Sequence, residues 1–193
     1  MTGPTPSQTV GPYFTMELTG EGQNVLTNPE TGGERIRVEG VVLDADRNHI
    51  EDALIELWQA NAAGRYNHPA DDRDDVPLDP EFTGFGRCAS DFTRGTYSFL
   101  TIKPGPVPHP SGGMQAPHIS LIIQARGMLD PTYTRIYFAD EGEANAKDPV
   151  LATVPEARRS TLIAERVDDD GSVPTYRFDI RYQGDDETVF FDV

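Results

Sequence analysis

Cysteine is nearly absent from this chain of 193 residues, which has only Cys88. One thiol excludes an intramolecular disulfide, and the expected setting is a reducing cytoplasm. Positive charge is also scarce: 16 Lys+Arg face 32 Asp+Glu, a formal net charge of −16. Such a field opposes nucleic acid and anionic membrane surfaces, so neither is an expected partner. It also repels small anions, and an anionic ligand would need a local cation to overcome it. No apolar run approaches the ~20 residues needed to span a bilayer. The opening MTGPTPSQTV has no basic end and no apolar centre, so it is not read as a signal peptide.

Hydrophobic residues make up 37% of the chain, enough for one core without disulfides. The clearest patterns have period two. TYRFDIRYQ sets Tyr176, Phe178, Ile180 and Tyr182 on one face and Arg177, Asp179 and Arg181 on the other, as a half-buried strand requires. ERIRVEGVVLD alternates in the same way before turning apolar. ALIELWQA, FGRCASD, GTYSFLTI, HISLIIQA, TRIYFAD and TVFFDV read as further strands, and STLIAERV is assigned to a strand as well. Glu143 to Leu151 is expected to form a short helix. The expected fold is all-β: an antiparallel β-sandwich of about eight strands with long loops. Residues 1–33 are expected to form an extended N-terminal arm, and 34–193 the sandwich domain. Long Pro/Gly-rich loops are expected at 61–82 and 103–117, and loops of this length in a compact domain are usually functional or interfacial.

QAPHISLIIQA, 115–125, puts His118 at the head of an apolar strand behind the second of those loops. Ser120 stands two residues on, along the same strand face, where a second metal-binding histidine could be. From the residues alone this is a metal site, half of one, or a histidine hydrogen-bonded at a strand mouth. Cys88, beside Arg87, is read as a buried inert thiol. The run DDRDD, 71–75, lacks the glycine and spacing of an EF-hand loop and is read as solvated.

ELWQANAAGRY, PLDPEFTGFGRC, YSFLTIKPGP, APHIS and TRIYF occur in the order seen in intradiol ring-cleavage dioxygenases. The chain resembles that family over nearly its whole length. The opening TPSQTVGPYF and the ending YRFDIRYQGDDETVFFDV resemble the alpha-type subunit of its two-subunit members. The resemblance implies Fe(III) held by two tyrosines and two histidines, a donor set suited to a hard trivalent ion that stabilises phenolate. In iron-binding members the first tyrosine lies shortly before PLDP and the second follows KPGP. The histidines form a His-X-His pair in the next strand. Here those positions read Asp74, Val107 and His118-Ile119-Ser120. Three of the four donors are gone, and what is left has too few ligands and the wrong charge for ferric iron.

The resemblance therefore implies that this chain binds no metal and supplies no catalytic residue. Fe(III) would sit in a homologous iron-binding beta subunit, and the assembly would cleave protocatechuate (3,4-dihydroxybenzoate) with O2 to 3-carboxy-cis,cis-muconate. This chain would supply pocket wall and assembly interface, with its N-terminal arm, 1–33, contacting the partner subunit. The implied substrate-binding residues are Thr9, Gly11, Pro12 and Tyr13 in the arm, together with Arg135, whose guanidinium could hold a carboxylate. Tyr66 is read as packing. One rival reading is a self-sufficient catechol-type dioxygenase using His68, His109 and His118. Another is a non-enzymatic transthyretin-like binding module that shares only the architecture.

Overall fold

The computed structural model describes residues 3–167 and 173–192. Among them the chain forms α1 (Phe14–Leu18), β1 (Arg35–Leu43), β2 (Leu54–Trp58), β3 (Phe85–Ala89) and β4 (Thr96–Ile102). A small hairpin follows, β5 (Val107–Pro108) and β6 (Met114–Gln115), then β7 (His118–Gln124), β8 (Thr132–Phe138) and α2 (Gly142–Asn145). The last elements are β9 (Ile163–Val167), β10 (Thr175–Arg177) and β11 (Ile180–Arg181).

The period-two segments fold as their patterns require. In β1, Ile36, Val38 and Val42 are fully buried while Arg35 is exposed. In β7, Ile119, Leu121 and Ile123 face the core and Ser120, Ile122 and Gln124 are half-buried on the other face. The inward side chains join Leu57, Phe99, Ile136, Phe138 and Tyr176 in one cluster. Each such side chain contributes about 1.5–3 kcal/mol by leaving water. The main sheet runs β11-β1-β10-β9-β8-β7-β2-β3, with β4 on the other side of β1. It curls into a nearly closed, barrel-like sandwich.

The sheet is mixed rather than antiparallel throughout. β1 pairs in parallel with both β10 and β11, and β8 pairs in parallel with β9. TYRFDIRYQ is two short strands instead of one, broken where the Phe178 carbonyl passes over β1. That crossing needs Gly40, because a Cβ there would lie 1.8 Å from the Phe178 oxygen. The Tyr97 hydroxyl donates to the same carbonyl at 2.6 Å. Side-chain alternation survives the break, so the facing of residues was legible although the strand count was not.

Three other expectations are corrected. The helix expected over Glu143–Leu151 is only α2, because Pro149 disfavours helical geometry at Asp148. Only the second part of STLIAERV is strand; Glu156–Leu162 is a 3-10 helix. TVFFDV makes no regular ladder among its described residues. It runs extended, donating from Thr188 N to the Arg181 carbonyl and from Phe191 N to the Tyr133 carbonyl.

The expected arm, 1–33, has two parts. Gln23–Leu26 is built into the seam between β3 and β4. The Gln23 carbonyl accepts from Arg87 N at 3.1 Å, and Leu26 N donates to the Leu100 carbonyl at 2.8 Å. Asn24 Nδ2 adds a bond to the Ser98 carbonyl, and Leu26 is part of the core. The residues before this seam are mostly exposed.

Candidate functional site

The outer face of β7 and β8 carries the site. His118 pairs across with Tyr137, Ser120 with Arg135, and Ser120 also with Trp58 of β2. These side chains point away from the main core. A smaller apolar cluster of Ala116, Tyr137, Leu151, Val154 and Leu162 covers one end of this face. Beside it lies a cavity of about 420 Å³ whose walls include Trp58, Tyr66, Arg73, Val107 and Gln115. An adjoining hollow of about 400 Å³ is bordered by Trp58, Ser120, Tyr133, Arg135 and Phe191.

Two long loops hold this wall, and their motifs explain each other. Asn61 accepts from Ala63 N and Arg65 N through its side-chain oxygen and donates to the Pro77 carbonyl. Its backbone carbonyl accepts from Gly105 N at 2.9 Å, tying the ANAAGRY turn to KPGP. Gly64, at φ +82, allows that approach: a Cβ there would meet the Pro106 oxygen at 2.0 Å. Tyr66 then stacks on Trp58, with ring centroids 5.7 Å apart. Burial pushes the Tyr66 hydroxyl above the ordinary tyrosine range, which keeps it a neutral phenol. Within DDRDD, Arg73 grips Asp71 through two bonds of 2.6 and 2.7 Å and reaches the Gly64 carbonyl. That grip pulls the Asp71 carboxyl down to about 2. Asp71 is thus a brace, while Asp72, Asp74 and Asp75 are exposed as expected.

His118 is buried, and its Nδ1–H donates to the Ala116 carbonyl at 2.8 Å. Burial, assisted by the nearby Arg135 charge, lowers its pKa to about 4, so the ring is neutral at physiological pH. A ring held this way keeps the orientation typical of a metal-ligating histidine. Its companions do not support a metal. Val107 is buried without a donor atom, Ser120 offers one hydroxyl, and Asp74 is exposed on the loop. His68 and His109 each accept a local backbone N–H at Nδ1, from Ala70 and Ser111. Among the described residues no group of three or more His, Cys, Asp or Glu is placed to hold a metal ion. The donor set does not fit ferric iron.

Arg135 is half-buried beside this site, with Nη1 donating to Gln115 Oε1 at 2.7 Å. The arm residues are not brought to it. Thr9 Oγ1 accepts from Gly127 N at 2.7 Å, on the β7–β8 turn, at the opposite end of β7 from His118. Gly11, Pro12 and Tyr13 are exposed, Tyr13 by 70%. Asp148 carries no distinctive mark in the sequence. It is fully buried and accepts from Ala116 N, the Tyr137 hydroxyl, Val150 N and Leu151 N. These bonds fix the entry of β7 and hence His118. Its only sequence signal is an Asp before a Pro, which also marks many ordinary turns. Cys88 is half-buried in β3, and burial raises its thiol pKa, consistent with an inert role.

A family model described as "Dioxygenase" matches residues 9–184. The chain is 44% identical, over 98% of its length, to the protocatechuate 3,4-dioxygenase alpha chain of Burkholderia cepacia, 97% of which is covered. This chain belongs to the intradiol dioxygenase family. The same organism's beta chain is 41% identical over 86% of this chain, with 72% of that relative covered. In fold, the chain is similar to the dioxygenase domain of a carbohydrate-binding fusion from Streptomyces sp. SirexAA-E. The TM-score is 0.59 and identity 23%, covering 93% of this chain and 97% of that one. The family is iron-dependent. Its architecture is that of the family, so the reading as an unrelated transthyretin-like module is set aside. No helix among the described residues is long and apolar enough to cross a membrane.

Proposed function

We propose that this chain is the alpha-type, non-metal subunit of a heteromeric protocatechuate 3,4-dioxygenase acting in the cytoplasm. An iron-bearing beta-type subunit holds Fe(III) and carries out the cleavage of 3,4-dihydroxybenzoate with O2 to 3-carboxy-cis,cis-muconate. The observation that carries this reading is a family domain over residues 9–184 with Val107 and Ser120 where the resemblance puts metal donors. Similarity to both an alpha and a beta chain supports descent of two subunit types from one fold, packed about a near-two-fold axis.

In such a pair, Thr9, Gly11, Pro12 and Tyr13 form part of the wall of the beta subunit's pocket. Their exposure and their distance in the fold from His118 support a role outside this chain's own site. Gly11 lets a backbone approach a ligand closely, and Pro12 stiffens the wall. Arg135 holds the substrate carboxylate against the acidic field of the chain. These residues bind and orient the substrate; the metal chemistry belongs to the partner.

Co-expression with a beta-type chain, followed by size-exclusion chromatography, iron analysis and a ring-cleavage assay, tests the reading. The chain alone should be iron-free and inactive, and the co-purified complex should hold iron and cleave protocatechuate. Stoichiometric iron and activity in the chain alone would instead establish the self-sufficient reading built on His68, His109 and His118.

A further inference from the structure

The exposed part of the arm is not a loose strand. Gly11, Pro12, Tyr13 and Phe14 form a closed β-turn, in which the Gly11 carbonyl accepts from Phe14 N at 3.3 Å. Pro12 occupies the second position, which favours proline, and Tyr13, at φ −105 and ψ 4, has the geometry of the third position of a type I turn. The chain is fixed on both sides of this turn. After it, Thr15 is buried, and its carbonyl accepts from Thr19 N at 2.9 Å and from Thr19 Oγ1 at 2.6 Å. Before it, Thr9 Oγ1 accepts from Gly127 N at 2.7 Å. Val10 is half-buried where its neighbours are exposed, and it lines a small hollow of about 90 Å³ with Gln8, Ala125, Met128 and Leu129. The β7–β8 turn that receives these residues is itself held down. Arg126 pairs with the buried carboxylate of Asp52, Ala125 is buried, and Met128 packs against the main core.

We propose that Thr9 is a positioning residue, whose bond to Gly127 anchors the preformed Gly11–Phe14 turn to the sandwich. The Thr9 hydroxyl is engaged within its own chain, so its contribution is the placement of the turn that follows it. A turn already closed and already aimed loses little freedom when a partner or ligand meets it, whereas an unanchored arm is ordered at the expense of affinity. This role rests on the reading of the chain as an alpha-type subunit, and it separates Thr9 from Gly11, Pro12 and Tyr13, which the anchor presents.

Thr9→Val keeps the shape of the side chain and removes the acceptor; Thr9→Ser keeps the acceptor. The first measurement uses this chain alone and follows hydrogen exchange of the Gly127 amide by NMR. In T9V that amide should exchange roughly fivefold faster, the worth of one modest hydrogen bond, and in T9S it should stay near the original rate. The second uses the reconstituted complex. T9V should raise KM about fivefold with kcat little changed, by a similar factor for protocatechuate and for catechol, because a displaced wall affects both; T9S should recover most of the loss. Unchanged Gly127 exchange in T9V overturns the anchor. An unchanged KM, or a rise confined to protocatechuate, overturns the positioning role, the latter by assigning the hydroxyl to the substrate carboxylate. Failure of the unsubstituted chain to form an active complex would overturn the subunit reading and this role with it. The Gly127 measurement, which needs no partner, distinguishes that result from failure of the anchor.

Discussion

Lys103 and Arg135 are partly buried cations in a strongly acidic chain, and their surroundings are opposite. Lys103 meets Asp140 at 2.7 Å and Glu141 at 2.9 Å, and its ammonium lies over the rings of Phe138 and Tyr176. Asp140 also accepts from the Tyr176 hydroxyl. That corner is neutralised and satisfied, which is how folding disposes of a buried charge when nothing else is asked of it. Arg135 has a neutral amide as its bonded partner. With no acid among the described residues in ion-pair contact with it, its charge is better explained by something outside the chain's own packing. A substrate carboxylate meets that description.

The contrast can be broken or sharpened by experiment. The largest effect concerns His118, which feels the open charge. Its folded-state pKa of about 4 lies below the ordinary 6.5. The folded chain therefore binds fewer protons than the unfolded one, so stability is full above about pH 6.5 and falls as pH drops toward 4. The loss reaches about 3 kcal/mol. His118→Gln should flatten that part of a plot of Tm against pH, and an unchanged slope would assign it to other groups. Next, Lys103→Met should cost about 2 kcal/mol by chemical denaturation, since it strands two carboxylates. A neutral result would mean that the corner is not held by charge.

The smallest effect on stability is expected at Arg135. Arg135→Ala should cost less than about 1 kcal/mol, because no charged partner is left behind. In the reconstituted complex the same substitution should raise KM for protocatechuate at least about tenfold more than KM for catechol, which lacks the carboxylate. Equal changes for both substrates would remove carboxylate recognition from its roles.

Much of this was legible in the order of residues. Alternation in β1, β7 and the last strands determined which side chains are buried, because a strand's side chains alternate strictly between faces. That Val107 offers no donor was equally visible, since a valine side chain cannot bind a metal in any fold. Parallel pairing of β10 and β11 with β1 was not visible. It depends on a carbonyl passing over Gly40, and nothing local to Gly40 records that Phe178 will lie above it. The four-donor role of Asp148 was hidden for the same reason: Ala116 and Tyr137 are remote from it in sequence.

The division follows from the range of the forces. Burial preference and donor chemistry belong to single residues and their near neighbours, so the sequence by itself decided that this is a β protein of the family and that Val107 offers no donor atom. Which charges are paired depends on what the folded chain brings within a few ångströms. Tertiary structure alone decided that Lys103 would be neutralised, that the end of the arm would be sewn into the β3–β4 seam, and that Arg135 would stand opposite Ser120, bonded to the Gln115 amide.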